Sequence, residues 1–289
     1  MSVATKVEHL RHEAKRVGQT PRAFDNWLPL LREMAAERLG RGRGSELTFR
    51  TKAGPTLTVP NVPGARLPLY EQYADDCYRL REFLAPFRGR PLQVLDVGSH
   101  IGSFATNVAT LHPQARVECY EPSPESARYL RRNVEQNGLT DRIRVHEYAL
   151  ADAEGTALLD DNDGGSVHNG LMRAEHRLVE GQDALTDRHA VEVRTTTWAR
   201  AVAQSPAPPQ LVKMDCEGGE YALVYGSAPQ LWDSVTHVVM EYHPVEGESW
   251  EKLRAWFADA GLQVVRHESD RPGLGTAWLT RPANDRKDG

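Results

Sequence analysis

A strand, a glycine-containing turn and a helix follow one another in residues 91–111, and this pattern constrains the fold most. The apolar run from Leu92 to Val97 predicts a buried parallel strand. Gly98 and Gly102 bracket a short turn, and we expect a helix to begin at about Ser103. This order is typical of the first half of a βαβ unit that binds a nucleotide.

A second apolar run, from Ala115 to Tyr120, ends in Glu121 and is followed by Pro122. Further apolar runs alternate with helical segments up to residue 261, and two strands are expected at residues 262–267 and 276–280. Such alternation predicts an α/β fold with a doubly wound, mostly parallel sheet, here closed by a C-terminal antiparallel hairpin.

The residues before this sheet form an N-terminal extension. Residues 3–39 carry apolar side chains at helical spacing, and we expect two helices with a break near Gly18 to Pro21. A β-hairpin should follow at residues 47–59, and a loop at residues 60–68. The extension is expected to pack on the core or on a second subunit, or to cover a substrate pocket as a lid.

We therefore divide the chain into three parts: the extension (1–68), the sheet domain (69–282) and a frayed tail (283–289). The most polar segment, residues 160–187, is predicted to be a long surface loop that follows a short edge strand at residues 156–159. Long loops within compact domains are usually functional or disordered.

Charge and cysteine content exclude several classes of protein. The 289 residues carry a net charge of −5, which gives no electrostatic basis for binding nucleic acid or an anionic membrane. The sequence contains no apolar run long enough to cross a bilayer. Its three cysteines are widely spaced, so we expect neither a disulfide framework nor a zinc site, and a cytoplasmic location.

Acidic residues stand at the ends of four expected strands. These are Asp96, Glu121, Asp215 and Glu241. In a doubly wound sheet, ligands bind at the carboxyl ends of the strands, near the point where the strand order reverses. Four carboxylates at one edge indicate a ligand that is cationic or rich in hydroxyl groups.

The turn after the first strand favours a ligand without phosphates. It reads DVGSHIGSF, which lacks one glycine of the dinucleotide fingerprint G-x-G-x-x-G. Asp96 would repel a pyrophosphate but suits an α-ammonium group, and Glu121 is placed to bind ribose hydroxyls. S-adenosylmethionine combines a ribose with an α-amino acid and has no phosphate. A nicotinamide-dependent dehydrogenase is the weaker alternative.

Four segments in the right order resemble the FkbM-type S-adenosylmethionine-dependent methyltransferases. They are DVGSHIGSF, YEPSPESARYLRRNV, ALADAEG at residues 149–155 and LVKMDCEGGEYALVYGSAPQLW. The resemblance covers roughly residues 71–243, and the segment LYEQYADDCY at residues 69–78 looks like the family's lead-in to the cofactor site. It implies the Rossmann-like class I methyltransferase fold with a seven-stranded sheet, and S-adenosylmethionine as cofactor.

The resemblance also implies the residues that hold this cofactor. Asp96, Gly98 and Gly102 would line its methionine end, Glu121 its ribose, and Ala149 and Asp152 its adenine. The full expected set is Asp96, Gly98, Ser99, His100, Gly102, Glu121, Pro122, Ala149, Asp152 and Asp215. The family usually has asparagine at position 100, so the histidine there leaves its role open.

The expected catalytic residues follow the fourth and fifth core strands. Asp215 and Glu217 match the family's aspartate-x-glutamate-glycine motif, and Glu241 and His243 match its glutamate and the polar residue after it. These side chains are candidates for a general base or for orienting the acceptor. Glu220 is expected only to cap a helix. We expect no resident metal, although Asp215, Glu241 and His243 would suit magnesium.

The sequence thus predicts an in-line methyl transfer from S-adenosylmethionine to a hydroxyl group of a small molecule. N-methylation of an amine or guanidine is an alternative, since acidic residues suit a cationic acceptor. A protein that binds the cofactor without catalysis is an alternative of another class. We expect a small-molecule acceptor as partner and neither nucleic acid nor membrane, and the sequence leaves homodimer formation open.

Overall fold

A seven-stranded sheet forms the centre of the computed structural model, which describes residues 15–41, 44–160, 171–172 and 190–282. The strands are β1 Glu46–Arg50, β2 Thr56–Pro60, β3 Leu92–Val97, β4 Ala115–Tyr120, β5 Ile143–His146, β6 Ala149–Ala151, β7 Gly155–Asp160, β8 Leu171–Met172, β9 Ala190–Thr197, β10 Leu211–Met214, β11 His237–Tyr242, β12 Gln263–Arg271 and β13 Leu274–Thr280.

Helices connect these strands. The α-helices with defined bounds are α1 Trp27–Arg38, α2 Pro63–Tyr70, α3 Leu80–Phe83, α4 Ser103–Leu111, α5 Pro124–Gln136, α6 Trp198–Gln204, α7 Glu220–Tyr225 and α8 Trp250–Asp259. A π-helical turn, Glu71–Asp75, and two 3₁₀ turns, Ala85–Phe87 and Pro229–Trp232, complete the helical segments. Within these described residues, no helix is both long and apolar enough to cross a membrane.

The order of strands in the large sheet is β12-β13-β11-β10-β3-β4-β5. Strand β3 pairs in parallel with both β4 and β10, while β13 runs antiparallel to β11 and β12. All six residues of β3 are buried, as expected for a strand covered on both faces. The predicted fold is therefore confirmed. The chain builds outward from β3 to β5 and returns on the other side at β10, so the strand order reverses between β3 and β10.

A smaller sheet, of order β6-β9-β7-β8, stands beside the large one. The short edge strand expected at residues 156–159 corresponds to β7. The prediction of an edge was wrong, because β7 pairs with β9 on one side and β8 on the other. The predicted polar loop at residues 160–187 lies, except for Asp160 and β8, outside the described residues.

The extension departs from prediction in two places. Residues 15–23 are helical through Gly18 and Pro21, and the chain turns instead at Phe24. The fully buried Phe24 ring packs edge-on against Phe49 at 5.0 Å, which requires the turn. The loop expected at residues 60–68 is largely helix α2, which begins at Pro63 because a missing N–H costs nothing at the first helical position.

Apolar packing joins the extension to the sheet domain. A buried cluster contains Phe24, Phe49 and Tyr70 together with Ile101 and Tyr129 from the first βαβ unit. Asn133 on α5 accepts a hydrogen bond from the backbone N–H of Thr58 in β2 at 2.8 Å. The hairpin and α2 therefore lie against the start of α4 and against α5, next to the carboxyl ends of the central strands.

Candidate active site

A cavity of about 270 Å³ opens at the carboxyl ends of β3, β4, β10 and β11. This is the edge at which the sequence places the acidic residues, beside the reversal of strand order. Of the predicted site residues, the cavity is lined by Gly98, Ser99, His100, Glu121, Pro122, Ala149, Asp215, Glu217, Glu241 and His243. The structure thus brings ten of the thirteen predicted residues together.

The other three predicted residues, Asp96, Gly102 and Asp152, are not among the described residues that line the cavity. Asp96 is fully buried behind the wall, with Oδ1 3.5 Å from the Nζ of Lys213. Burial raises the pKa of Asp96. The ammonium group beside this aspartate is thus supplied by the protein. Direct contact of these three residues with a cofactor stays a prediction.

Gly98 ends β3 in the left-handed conformation, with φ of 74°. A Cβ atom on this residue would lie 1.8 Å from the carbonyl oxygen of Asp215. The glycine therefore permits close contact between the ends of β3 and β10, in addition to the approach of a ligand. Gly102, with φ of 83°, lies against Leu130 instead, where a Cβ would come within 2.4 Å of Cδ1.

His100 also adopts a left-handed backbone conformation, with φ of 49°. Asparagine and histidine are among the residues that tolerate this region best. The histidine here and the asparagine that the resemblance leads us to expect would therefore both fit this position. The His100 N–H donates a hydrogen bond to Oε2 of Glu121 at 2.6 Å, so the turn positions the carboxylate.

Glu121 is held by two backbone donors. Its Oε2 accepts from His100, and its Oε1 accepts from the N–H of Ser123 at 2.9 Å. Ser123 in turn caps α5, since its Oγ accepts from the N–H of Ser126 at 3.1 Å. The carboxylate is 6% exposed and lines the cavity in a fixed orientation.

Asp215 follows β10 and lies between two donors that sequence reasoning missed. Its Oδ2 accepts a hydrogen bond from the hydroxyl of Tyr78 at 2.9 Å and lies 3.7 Å from the Nζ of Lys213. Burial alone would raise the pKa of Asp215, but the charges of Lys213 and His243 and the hydrogen bond from Tyr78 together outweigh burial and lower the pKa. A lysine within the buried run LVKMD was the available sequence signal, because lysine is rarely buried without a partner.

Lys213 connects the two central strands. Its ammonium group donates to the carbonyl oxygen of Gly98 and lies near Asp96 and Asp215. Burial would lower the pKa of Lys213, but the two carboxylates raise it above its ordinary value. The lysine is therefore a permanent cation between the ends of β3 and β10.

His243 stands among four carboxylates. Its Nδ1 lies 3.3 Å from Oε1 of Glu220, and its Nε2 lies 3.4 Å from Glu217 and 3.8 Å from Glu241. Burial would lower the pKa of His243, but the carboxylates, Glu220 first, raise it to about 10. At neutral pH the ring is therefore a cation and not a free base.

Burial is the largest influence on the pKa of two carboxyl groups around this ring. It raises the pKa of Glu217 to about 8, although His243 opposes the shift. It raises the pKa of Glu241 to about 8 as well, with the charge of Asp215 adding to the effect. Two cavity-lining carboxyl groups thus titrate close to physiological pH, as is common at functional sites.

Glu220 does more than cap a helix, contrary to expectation. It is fully buried, and its carboxylate accepts from the N–H of Cys216 at 2.6 Å and of Gly218 at 2.9 Å. These bonds hold the turn in which Glu217 adopts a left-handed conformation, with φ of 52°. Glu220 therefore fixes both the turn that carries Glu217 and the ring of His243.

Segments outside the predicted site close the cavity. Helix α2 and the π-helical turn contribute Leu67, Pro68, Glu71 and Gln72, and the C-terminal hairpin contributes Arg271 and Leu274. Burial, with the charge of Asp215, raises the pKa of Glu71 to about 7. π-Helical turns often occur at functional sites, and this turn lies within the segment LYEQYADDCY, for which the family resemblance predicts a place beside the cofactor site. The C-terminal hairpin carries no sequence pattern that places it over the sheet edge.

Comparison with known proteins identifies the family of this chain. The family model for the methyltransferase FkbM domain matches residues 96–264, which is more than half of the chain. The chain belongs to the FkbM methyltransferase family. It is therefore a methyltransferase with a Rossmann-like fold, and the dehydrogenase alternative is set aside.

Several similar proteins are named as methyltransferases. Methyltransferase sdnD of Sordaria araneosa is 25% identical over 227 residues, 69% of this chain and 83% of that protein. The 31-O-demethyl-FK506 methyltransferase FkbM of Streptomyces tacrolimicus is 26% identical over 245 residues, 76% of this chain and 90% of that protein. The 2-O-methyltransferase NoeI of Sinorhizobium fredii is 39% identical over 62 residues, 22% of this chain and 24% of that protein.

Proposed function

We propose that this protein transfers a methyl group from S-adenosylmethionine to a hydroxyl group of a small molecule. The observation that carries the proposal is the single cavity that reaches from Glu121, at the end of β4, to Asp215 and Glu241, at the ends of β10 and β11. One end suits a ribose and an amino acid. The other end offers carboxylates that can orient an acceptor and take its proton.

The donor would lie across the ends of β3 and β4. The carboxylate of Glu121 can accept hydrogen bonds from both ribose hydroxyls, since its own two backbone donors fix its orientation. Pro122 and Ala149 line the neighbouring part of the cavity and suit the adenine ring. The turn of Gly98, Ser99 and His100 would face the methionine portion, which leads the sulfur towards Asp215.

The transfer itself needs alignment more than chemical activation. A lone pair of the acceptor oxygen would form the bond to the methyl carbon while the carbon–sulfur bond breaks, leaving S-adenosylhomocysteine. Holding the two reactants in line supplies most of the acceleration. The hydroxyl proton would pass to a carboxylate, with Glu241 or Asp215 as acceptor, because His243 already carries a proton at neutral pH.

Oxygen is favoured as the methylated atom because two relatives are named as O-methyltransferases. A second candidate is N-methylation of an amine. It is favoured by the four buried or half-buried acids that line the acceptor end of the cavity, Glu71, Asp215, Glu217 and Glu241. A cationic amine would have to lose a proton before attack, and the same acids could accept it.

The test combines binding with product analysis. Calorimetry should show that S-adenosylhomocysteine binds with one site per chain and that NAD⁺ does not bind. S-adenosylmethionine with a ¹³C-labelled methyl group would then be incubated with matched alcohol and amine acceptors, and NMR would locate the label. Label on oxygen supports the proposal, and label on nitrogen alone supports the second candidate. Absence of S-adenosylhomocysteine binding would overturn both.

A further inference from the structure

The geometry around His243 points to a divalent cation, and we propose that Asp215, Glu217 and His243 bind a Mg²⁺ or Mn²⁺ ion at the acceptor end of the cavity. The inference rests on the proposed function, because the use of such an ion would be to hold the acceptor hydroxyl. It revises the expectation from sequence that the protein has no resident metal.

The first observation is the spacing of the ligand atoms. Nε2 of His243 lies 3.4 Å from Oε2 of Glu217 and 4.0 Å from Oδ1 of Asp215, and the three ligand atoms lie within 4.8 Å of one another. Metal bonds of about 2.1 Å separate neighbouring ligands by about 3.0 Å in an octahedron and about 3.4 Å in a tetrahedron. The Glu217–His243 separation matches that of two ligands of one ion, whereas the Asp215–His243 separation is longer, so Oδ1 of Asp215 would move closer on binding.

The second observation concerns the ring nitrogen itself. His243 is 7% exposed, and its Nε2 faces the carboxylates of Asp215, Glu217 and Glu241. The shortest of these separations is 3.4 Å, and Nε2 forms no hydrogen bond with any of these three carboxylates, whereas Nδ1 forms one with Glu220. Among the described residues, the ring's only hydrogen bond is the one made by Nδ1. A nearly buried nitrogen is thus aimed at carboxylate oxygens without a hydrogen bond to them, and an ion bound between them would displace the proton that Nε2 otherwise carries.

The third observation is the partner of the other ring nitrogen. Nδ1 of His243 lies 3.3 Å from the carboxylate of Glu220, which is fully buried. A histidine that binds a metal almost always donates its other N–H to a carboxylate, a carbonyl or water, which fixes the ring orientation. Glu220 thus acts as a positioning residue: it aims Nε2 and also holds the turn that carries Glu217.

The charges around Asp215 divide its two oxygen atoms. Oδ2 is bonded to Tyr78 and lies near Lys213, while Oδ1 faces His243. One oxygen is therefore available as a single ligand. Two carboxylates and one imidazole, completed by water or acceptor oxygen, suit a cation that prefers oxygen ligands. A coordinated hydroxyl loses its proton more readily, and Glu241, outside the ligand triad, is near enough to accept it.

The chain offers a matched control. Glu118 and His146 form a second glutamate–histidine pair, with Nε2 2.6 Å from Oε2, on neighbouring strands β4 and β5 of the same sheet. Neither residue lines the cavity. Glu118→Gln therefore alters a pair of the same chemistry without touching the proposed ion.

Binding is measured with Mn²⁺ alone as the probe, on the full chain, by the loss of the free-ion electron paramagnetic resonance signal. We expect one bound ion per chain in the wild type and in Glu118→Gln. Affinity should fall by about 10–100-fold in Glu220→Gln, and at least as much in Glu217→Gln and His243→Gln. Circular dichroism would check that each variant is folded.

Three results would overturn the inference: no stoichiometric Mn²⁺ binding to the wild type, equal affinity in the ligand variants, or an equal loss in Glu118→Gln. If the wild type binds no Mn²⁺, the protonated ring of His243, and not an ion, balances the charge of the neighbouring carboxylates. Calorimetry with S-adenosylhomocysteine on the same samples separates this from the proposed function. Cofactor binding without Mn²⁺ binding contradicts only the ion, and Mn²⁺ binding without cofactor binding contradicts only the methyl donor.

Discussion

The two ends of the cavity handle their acids in opposite ways. At the donor end, Glu121 accepts hydrogen bonds from two backbone N–H groups at 2.6 and 2.9 Å. At the acceptor end, three carboxylates stand 3.4–4.0 Å from Nε2 of His243 without hydrogen bonds to it. The protein itself satisfies the donor end. At the acceptor end, where we propose a bound cation, the chain supplies only these longer contacts between the carboxylates and Nε2 among the described residues.

The carboxyl groups of the acceptor end also differ from one another in pKa. Lys213 gives Asp215 a full positive partner and lowers its pKa, whereas burial raises the pKa of Glu217 and Glu241 to about 8. A group with a pKa near neutrality can take up and release protons during turnover. The rigidly held carboxylate of Glu121 and the titratable carboxyl groups of Glu217 and Glu241 therefore lie at separate parts of one sheet edge. Gly98 and Lys213 lie between these parts.

The largest effect is expected where the two ends meet. In Gly98→Ala, the new Cβ would lie 1.8 Å from the carbonyl oxygen of Asp215, and the residue would keep a positive φ of 74°. We expect a loss of about 4 kcal/mol in the free energy of unfolding, from backbone strain and overpacking together. Chemical denaturation would measure it.

Gly138→Ala is the matched control for that prediction. Gly138 has a similar φ of 65°, but a Cβ there would meet nothing within 4 Å. Only the conformational cost of about 1 kcal/mol should remain. Equal losses in the two variants would show that the contact between β3 and β10 is unimportant, and that the two ends are not mechanically joined at Gly98.

The next effect separates turnover from cofactor binding. Asp215→Asn keeps the shape of the side chain but removes the charge that faces Lys213 and His243. Turnover should fall about 100-fold, at the lower bound for loss of a positioned acid or base. The dissociation constant for S-adenosylhomocysteine should change by less than about 3-fold, since the donor end is intact.

Asp233→Asn, an exposed aspartate beyond the second 3₁₀ turn, serves as the control and should behave as the wild type. A larger loss in cofactor affinity than in turnover for Asp215→Asn would move that aspartate from the acceptor end to the donor end. The assignment of Asp215 to the acceptor end would then be wrong.

A smaller effect is expected at the donor end. Glu121→Gln retains one acceptor oxygen, but its amide nitrogen would face a backbone N–H, either of His100 or of Ser123. Loss of charge-assisted hydrogen bonds should weaken S-adenosylhomocysteine binding by about 2 kcal/mol, or about 30-fold. Calorimetry would measure it. Unchanged affinity would remove Glu121 from the ribose role, and weaker Mn²⁺ binding would link the ends more closely than proposed.

Features that are local patterns could be predicted from sequence, and features that depend on contacts between distant segments could not. The βαβ order and the acids at the strand ends are local patterns, so the fold, Glu121 and the position of Asp215 could be predicted. Glu220 was misjudged because its role depends on His243, 23 residues away in sequence. The segment that carries Glu71 and Tyr78 was placed near the cofactor site only by its resemblance to the family, and Arg271 was missed, because tertiary packing sets the approach of both segments to the sheet edge. Gly98 was assigned to the ligand because its contact with Asp215 crosses between strands.

Strand β11 has a histidine at its start and another just after its end, and the pKa values of the two histidines are shifted in opposite directions. His243 follows β11 at the cavity, where carboxylates raise its pKa to about 10, while His237 begins β11 and burial lowers its pKa to about 4. The His237 ring packs against Phe83 and Phe87 at 5.0 and 4.6 Å. Between pH 6.5 and 4 the folded protein therefore keeps this ring neutral, whereas the unfolded chain protonates it.

The sign of the resulting pH dependence follows from linkage. Above the unfolded pKa of about 6.5 both states hold the ring neutral. As the pH falls towards 4, the unfolded chain gains a proton that the folded protein refuses, so stability declines across this window. In His237→Gln the free energy of unfolding should fall less steeply between pH 6.5 and 4 than in the wild type. An identical slope would mean that phenylalanine packing alone does not exclude the proton, and that the contrast between the two histidines has another cause.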